Sequence, residues 1–133
     1  MKKIKIDVVA VPLSGHLYPT LNLVKPLLDD PTMEIRVFTG PQKKAVAESL
    51  GFTVVPILED KVEEFERVAN NDKKHNLFSA YRQLSRSLDL MNHVSDQLLE
   101  EWRVNRPDIV IADFITLSAG FVAEELEIPW ITT

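Results

Sequence analysis

One histidine and one aspartate, distant in the chain, each follow a run of residues that predicts a buried parallel strand. His16 follows the apolar run at residues 4–11 after a short loop, and Asp113 directly follows the run at 109–112. Ligand sites of open α/β sheets lie just beyond the carboxyl ends of the strands, most often where the strand order reverses. If these two strands are neighbours at that point, an imidazole and a carboxylate meet above one crevice. Such a pair could act as a general base.

The residues around His16 suit that role. Gly15 allows the backbone to turn tightly or to approach a ligand. A helix N-terminus disfavours a protonated imidazole, and a base must be neutral. A carboxylate on the second ring nitrogen would fix the tautomer and stabilise the imidazolium that forms. Two other interpretations remain open: His16 only caps a helix or packs under a loop, and Asp113 is a turn residue or a cap for a helix that begins near Thr116.

The elements that must position this pair follow from the alternation of strand and helix patterns along the chain. That alternation predicts βαβ units and a parallel sheet. The predicted strands are residues 4–11, 35–39, 54–57, 109–112 and 128–132, and the predicted helices are residues 18–28, 41–50, 61–69, 77–103 and 118–126. A long helical crossover before the fourth strand fits the order 3-2-1-4-5, which right-handed crossovers build readily. We therefore expect one Rossmann-like, doubly wound domain over residues 1–133, with the first and fourth strands adjacent.

Composition and missing motifs exclude several classes of function. A net charge of −5 without a basic stripe argues against nucleic acid as a partner. The chain has no cysteine, so disulfides and thiolate chemistry are excluded, and a cytoplasmic location is compatible. No apolar run reaches the length of a transmembrane segment. No histidines have metal-ligand spacing, and neither glycine-rich phosphate-loop pattern is present.

Four further polar residues are interpreted as surface or helix-capping residues without a role in chemistry. His75 lies in a polar loop and His93 lies off the apolar stripe of the long helix, so both are interpreted as solvated surface residues. Asp60 with Glu63 predicts a capping box at the start of the helix over residues 61–69.

The chain also stops at a strand without a following helix, although a parallel sheet needs cover on both faces. We therefore expect the sequence to have been cut from a longer protein.

Three segments resemble the N-terminal half of GT-B glycosyltransferases of the UDP-glycosyltransferase type (family 1). They are residues 11–21 (VPLSGHLYPTL), residues 106–114 (RPDIVIADF) and residues 127–130 (EIPW). The G-H-x-x-P element alone is shared with related lipid-linked transferases and some epimerases. Its combination with the other two segments is more specific, and the resemblance covers essentially the whole chain.

The resemblance implies roles for individual residues. His16 would be the base that deprotonates an acceptor hydroxyl, and Asp113 would pair with it. The acceptor pocket would be lined by further residues of the same loops and by the segment around residues 65–78; the loop residues are Leu13, Ser14, Gly15, Tyr18 and Phe114. The donor would be a UDP- or TDP-sugar. Its sugar would be transferred with inversion at the anomeric carbon, without a metal or other cofactor. The acceptor would be a lipophilic small molecule.

The sequence also departs from the family pattern. Neither the C-terminal Rossmann domain that holds the nucleotide sugar nor its signature is present, and Glu127 stands where the family usually has glycine. We therefore expect that this polypeptide alone does not transfer sugar. One alternative is a non-catalytic binding module or a partner subunit of a split GT-B enzyme. Another is a flavodoxin-like or receiver-type domain, in which Asp113 would be structural.

Overall fold

Five parallel strands form a single sheet in the computed structural model of the chain, which describes residues 2–70 and 76–133. The strands are β1 (Ile4–Val9), β2 (Met33–Thr39), β3 (Thr53–Pro56), β4 (Ile109–Ala112) and β5 (Trp130–Thr132). The helices are α1 (Ser14–Val24), α2 (Lys44–Ser49), α3 (Val62–Ala69), α4 (Leu77–Val104) and α5 (Leu117–Glu125). The strand order is β3-β2-β1-β4-β5, which confirms the predicted Rossmann-like α/β fold and its 3-2-1-4-5 order.

β1 occupies the centre of the sheet. Its register places Val9 opposite Phe38 of β2 and opposite Ala112 of β4, so all three strands end at the same edge. Side chains of successive residues point to opposite faces, and two separate hydrophobic clusters cover those faces. Val9 belongs to the cluster under α4 and α5, whereas Val8 belongs to the cluster under α1 and α2. α4 and α5 therefore cover one face of the sheet, and α1 and α2 cover the other.

α1 begins earlier than the sequence predicts. The expected start at Tyr18 is wrong, because the helix already begins at Ser14 and carries Pro19 in its interior. A proline there removes one backbone hydrogen bond without preventing the first turn from forming. The helix then tightens into a 3-10 segment, Lys25–Asp29, which has Pro26 near its start. The early start places His16 in the first turn of the helix rather than in the loop before it.

α4 is the predicted long crossover helix, and its two ends are held differently. A capping box joins Asn76 and Ser79 at its N-terminus. Near its C-terminus, Trp102 donates its indole N–H to buried Asp7 of β1 at 2.9 Å, and Arg36 of β2 donates to both oxygens of the same carboxylate. Burial raises the pKa of Asp7, an effect that the hydrogen bonds and charge of Arg36 oppose. This polar cluster, which was not predicted from the sequence, anchors α4 to the sheet.

The start of α3 differs from the prediction. The capping box at Asp60 and Glu63 is wrong, since the helix begins at Val62 with no side-chain cap after a 3-10 turn, Glu59–Lys61. Asp60 instead contacts His93 of α4, so His93 is not simply a solvated residue. His75 lies outside the described residues. Within residues 2–70 and 76–133, no helix is long and apolar enough to cross a membrane.

Candidate active site

His16 and Asp113 lie in contact at the carboxyl edge of the sheet. The imidazole Nδ1 is 3.2 Å from Oδ1 of Asp113, with hydrogen-bond geometry, and 3.0 Å from Oδ2. β1 and β4 are adjacent, and the loops that follow them bring the two side chains together across 97 positions of sequence. The sheet order supplies this proximity, as the topology predicted. The catalytic role of the pair remains a prediction.

The two partners differ in their access to solvent. The Asp113 side chain is 3% exposed, whereas that of His16 is 22% exposed. Asp113 Oδ2 has no hydrogen-bond partner in the described part of the chain, so its nearest polar contact is the imidazole. Because Nδ1 faces the carboxylate, Nε2 is the ring atom left for an incoming molecule. An Nδ1–H tautomer would donate to Asp113 and leave Nε2 as a proton acceptor.

The surroundings of the imidazole combine a helix terminus and an aromatic ring. His16 lies in the first turn of α1, where its own N–H donates to Leu13 O at 3.0 Å. The Phe114 ring packs against the imidazole with 5.1 Å between ring centroids and a tilt of 45°. Phe114 is 57% exposed, so this ring forms an accessible wall beside the pair.

A mostly apolar cavity of about 200 Å³ opens beside the two loops that hold the pair. Leu13 comes from the loop after β1, and Ile115 and Thr116 come from the loop after β4. The remaining wall belongs to residues near β3 and on α3, α4 and α5, including Leu58, Phe65, Val68, Leu90 and Val94. Neither His16 nor Asp113 is among the lining residues, so the pair borders the cavity through Leu13, Ile115 and Thr116 of the same loops. An apolar pocket next to such a polar pair suits a molecule with a lipophilic body and a polar group.

The predicted pocket residues fall in different places. Leu13 lines the cavity, and Phe114 stands beside His16. Ser14, Gly15 and Tyr18 do not line it: Tyr18 packs against the cluster on the other face of the sheet, under the ammonium group of Lys43. Their contact with an acceptor therefore stays a prediction.

Within the predicted segment 65–78, the two ends diverge. Phe65 is buried and lines the cavity, whereas Phe78 is 67% exposed on the outer end of α4. Residues 71–75 of this segment lie outside the described residues.

Two of the cavity-wall residues that the sequence did not reveal make hydrogen bonds to distant elements. Thr116 is buried, and its single hydroxyl hydrogen is shared between Val9 O and Asp113 O. Leu58 has a left-handed backbone (φ 59°) and donates its N–H to the Gln97 side chain at 2.9 Å. No local sequence signal marks either contact, because both partners come from distant elements. Within residues 2–70 and 76–133, no group of three or more His, Cys, Asp or Glu side chains is placed to hold a metal ion.

Comparisons with known proteins agree with this architecture. No protein-family model matches the chain. The NDP-glycosyltransferase YjiC of Bacillus subtilis (strain 168) is 29% identical over 132 residues, which cover 97% of this chain and 31% of that protein. The calicheamicin glycosyltransferase CalG4 superposes with a TM-score of 0.80 at 22% identity, over 99% of this chain and 32% of that one. SnogD from Streptomyces nogalater superposes with a TM-score of 0.74 at 21% identity, over 99% of this chain and 34% of that one.

These similarities confirm the predicted resemblance to GT-B glycosyltransferases. The solved structures show that the chain shares the fold of part of those enzymes. The chain spans about a third of the length of the relatives that it matches.

Proposed function

We propose that this chain is the acceptor-binding part of an inverting glycosyltransferase. The reaction would move a sugar from a nucleoside-diphosphate sugar to a hydroxyl group of a lipophilic small molecule. The observation that carries the proposal is the contact between His16 and buried Asp113 beside an apolar cavity. The similarity to glycosyltransferases over 97% of the chain supports the reaction class.

The proposed step is a direct displacement at the anomeric carbon. An acceptor seated in the cavity presents its hydroxyl to Nε2 of His16, which takes the proton as the acceptor oxygen forms a bond to C1 of the sugar. The bond between C1 and the phosphate oxygen breaks, and the nucleoside diphosphate leaves with the electron pair. The negative charge of Asp113 stabilises the imidazolium, and its contact with Nδ1 keeps Nε2 free for the incoming proton.

The cavity supports the proposal of a lipophilic acceptor. Its wall is formed mainly by aliphatic and aromatic side chains. The hydroxyls of two wall residues are already used, since Ser87 donates to Gln83 O and Thr116 donates to backbone oxygens. A strongly polar molecule would lose its hydration there with little compensation, whereas an apolar body gains free energy by leaving water.

The donor would be held by a second domain that is not part of this chain. The relatives are about three times as long as the part that this chain matches, which leaves room for such a domain. We propose a UDP- or TDP-sugar as donor, with no other cofactor. The chain contains no cysteine, which is compatible with the reducing cytoplasm that we propose as its location.

The test is sugar transfer by the protein that carries this sequence together with a nucleotide-sugar-binding domain. His16→Ala should lower kcat by about 10²–10⁴-fold, the usual contribution of a general base. The matched control is His93→Ala, which removes a histidine that also contacts an aspartate but lies away from the cavity lining. That control should retain wild-type turnover. Unchanged turnover in His16→Ala would show that another group is the base.

The isolated chain gives a second, independent test. It should bind a neutral aromatic alcohol such as 2-naphthol, with NMR shift changes confined to cavity residues, and it should not transfer sugar from UDP-glucose or TDP-glucose. Robust turnover by these 133 residues alone would contradict the proposal that a second domain holds the donor. Turnover that appears only after addition of a separate donor-domain chain would identify a split enzyme.

A further inference from the structure

We propose that Thr116 is a positioning residue for the pair formed by His16 and Asp113. This inference rests on the proposed function for its catalytic meaning, but its structural content can be tested without any sugar transfer. Thr116 occupies the turn that follows Asp113 and is 5% exposed. Its hydroxyl joins this turn to the end of β1, the strand that leads to His16.

The hydroxyl of Thr116 does not make the local contact expected of its position. Thr116 is the N-cap residue of α5, where a threonine side chain usually accepts a hydrogen bond from an N–H of the first turn. No such bond is present. The single hydroxyl hydrogen is instead shared between Val9 O at 3.0 Å and Asp113 O at 2.8 Å. The side chain therefore makes no helix cap, and it instead links the turn after β4 to the end of β1.

The segments that carry His16 and Asp113 meet at the carbonyl of Val9. This carbonyl accepts the N–H of Asp113 at 2.9 Å as well as the hydroxyl of Thr116. Val9 is the last residue of β1, and the chain continues from it through the loop to α1 and His16. Thr116 N–H also donates to Asp113 O at 2.8 Å. Both ends of the turn are thus hydrogen-bonded to the end of β1, from which the chain continues to His16.

The carboxylate of Asp113 needs such a support because few other groups orient it. Oδ2 has no hydrogen-bond partner in the described part of the chain, and Oδ1 has only His16. The two residues between Asp113 and Thr116 are exposed, Phe114 by 57% and Ile115 by 47%. Packing therefore restrains the middle of the turn little. The position of the carboxylate follows from the backbone, and Thr116 fixes the backbone.

The predicted consequence concerns the tautomer of His16. A carboxylate held against Nδ1 favours the Nδ1–H form, which leaves Nε2 free as the base. If the turn loosens, the imidazole loses that constraint and shifts toward the Nε2–H form that free histidine prefers. Catalysis would then fall through kcat, because the acceptor cavity remains but the base has the wrong nitrogen protonated.

The experiment is measurement of the ¹⁵N shifts of the His16 ring in the 133-residue chain, assigned by comparison with His16→Ala. Thr116→Val keeps the shape and removes the donor, and it should shift the ring toward the Nε2–H form. Thr116→Ser keeps the hydroxyl and should restore the wild-type spectrum. The matched control is Thr39→Val: Thr39 is also fully buried at the carboxyl edge, but its hydroxyl has no partner in the described part of the chain, so its removal should leave the ring unchanged.

A wild-type ring spectrum in folded Thr116→Val would overturn the proposal, even if that variant were less stable. An equal shift in Thr39→Val would also overturn it, because the effect would then reflect general packing of the sheet edge. If Thr116→Val does not fold, Thr116→Cys gives the same readout, since the thiol is a weak donor of similar size. Loss of turnover plays no part in these outcomes, so a failure here is distinct from a failure of the glycosyltransferase proposal.

Discussion

Residues 2–70 and 76–133 contain two contacts between a histidine and an aspartate, and the settings of these contacts differ. His16 lies 3.0 Å from Asp113, and His93 lies 2.9 Å from Asp60. The histidine side chains are similarly accessible, at 22% and 28% exposed. The acids are not, because Asp113 is 3% exposed and Asp60 is 65% exposed.

This difference separates a site from a surface contact. Asp113 follows a central strand, so the sheet excludes water from the carboxylate and directs it at one ring nitrogen. Asp60 lies in the 3-10 turn before α3, where water solvates its charge and ions screen it. The two pairs share chemistry and distance, but of these two only the first has a buried carboxylate. Burial of the acid therefore distinguishes them better than the interatomic distance.

The largest effect expected is on sugar transfer, and it concerns the two acids. Asp113→Asn keeps the size of the side chain but offers an amide N–H to Nδ1, which favours the tautomer that cannot act as a base through Nε2. By analogy with the Ser-His-Asp triads of hydrolases, kcat should fall by about 10²–10⁴-fold. Asp60→Asn should leave kcat within about twofold, as expected for a change at an exposed pair. Steady-state kinetics of the two variants in the donor-domain-bearing protein measure this. Equal losses in both would show that the burial of the acid does not decide function.

A smaller effect separates stability from chemistry. Glu127 follows α5 with a left-handed backbone (φ 58°), a conformation that costs a residue with a Cβ about 1–2 kcal/mol. Glu127→Gly should therefore raise the free energy of unfolding by about 1 kcal/mol and Tm by about 4 °C. Thermal and urea unfolding of the chain test this.

This variant also sharpens the comparison of the two acids. The kcat loss of Asp113→Asn should persist in the Glu127→Gly background, where the fold is more stable. If turnover recovered in the Glu127→Gly background, the kcat loss of Asp113→Asn would be due to unfolding. A Tm that does not rise in Glu127→Gly would show that the left-handed backbone at this position is not strained.

The smallest effect concerns the exposed pair itself. The hydrogen bond from His93 is the main cause that holds the pKa of Asp60 below its ordinary value. In His93→Ala this pKa should rise toward the ordinary value, and an NMR titration of the carboxyl group detects the change. A lowered carboxyl pKa means that the contact stabilises the fold above the ordinary titration range of aspartate and that this contribution is lost as the pH falls through the lowered pKa. An unchanged pKa in His93→Ala would assign the shift to another group.

The sequence predicted the sheet well because its signal is local and periodic. Runs of β-branched residues marked β1 and β4, and the apolar spacing along residues 77–103 matched α4 to within one residue. The topology argument then predicted β1 beside β4. The start of α1 was placed four residues late, because the apolar spacing that marks this helix begins only at Leu21, whereas the helix begins at Ser14.

The candidate site was predictable only in part. His16 and Asp113 could be selected because each follows a strand, and the strand order supplies their proximity. Thr116 was considered only as the start of a helix, since a hydroxyl that serves a carbonyl 107 residues earlier leaves no local pattern. The contact of Asp60 with His93 was missed for the same reason, and a capping box was predicted in its place.

The sequence by itself determined the residue types available for chemistry and most of the strands and helices that carry them, because apolar periodicity acts through near neighbours. The strand order was predicted from the pattern of crossovers, and the tertiary structure confirmed it. Only the tertiary structure decided that one histidine–aspartate contact has a buried acid while the other remains exposed to water. Burial depends on what the rest of the chain places above each carboxylate, and no stretch of sequence near either aspartate contains that information.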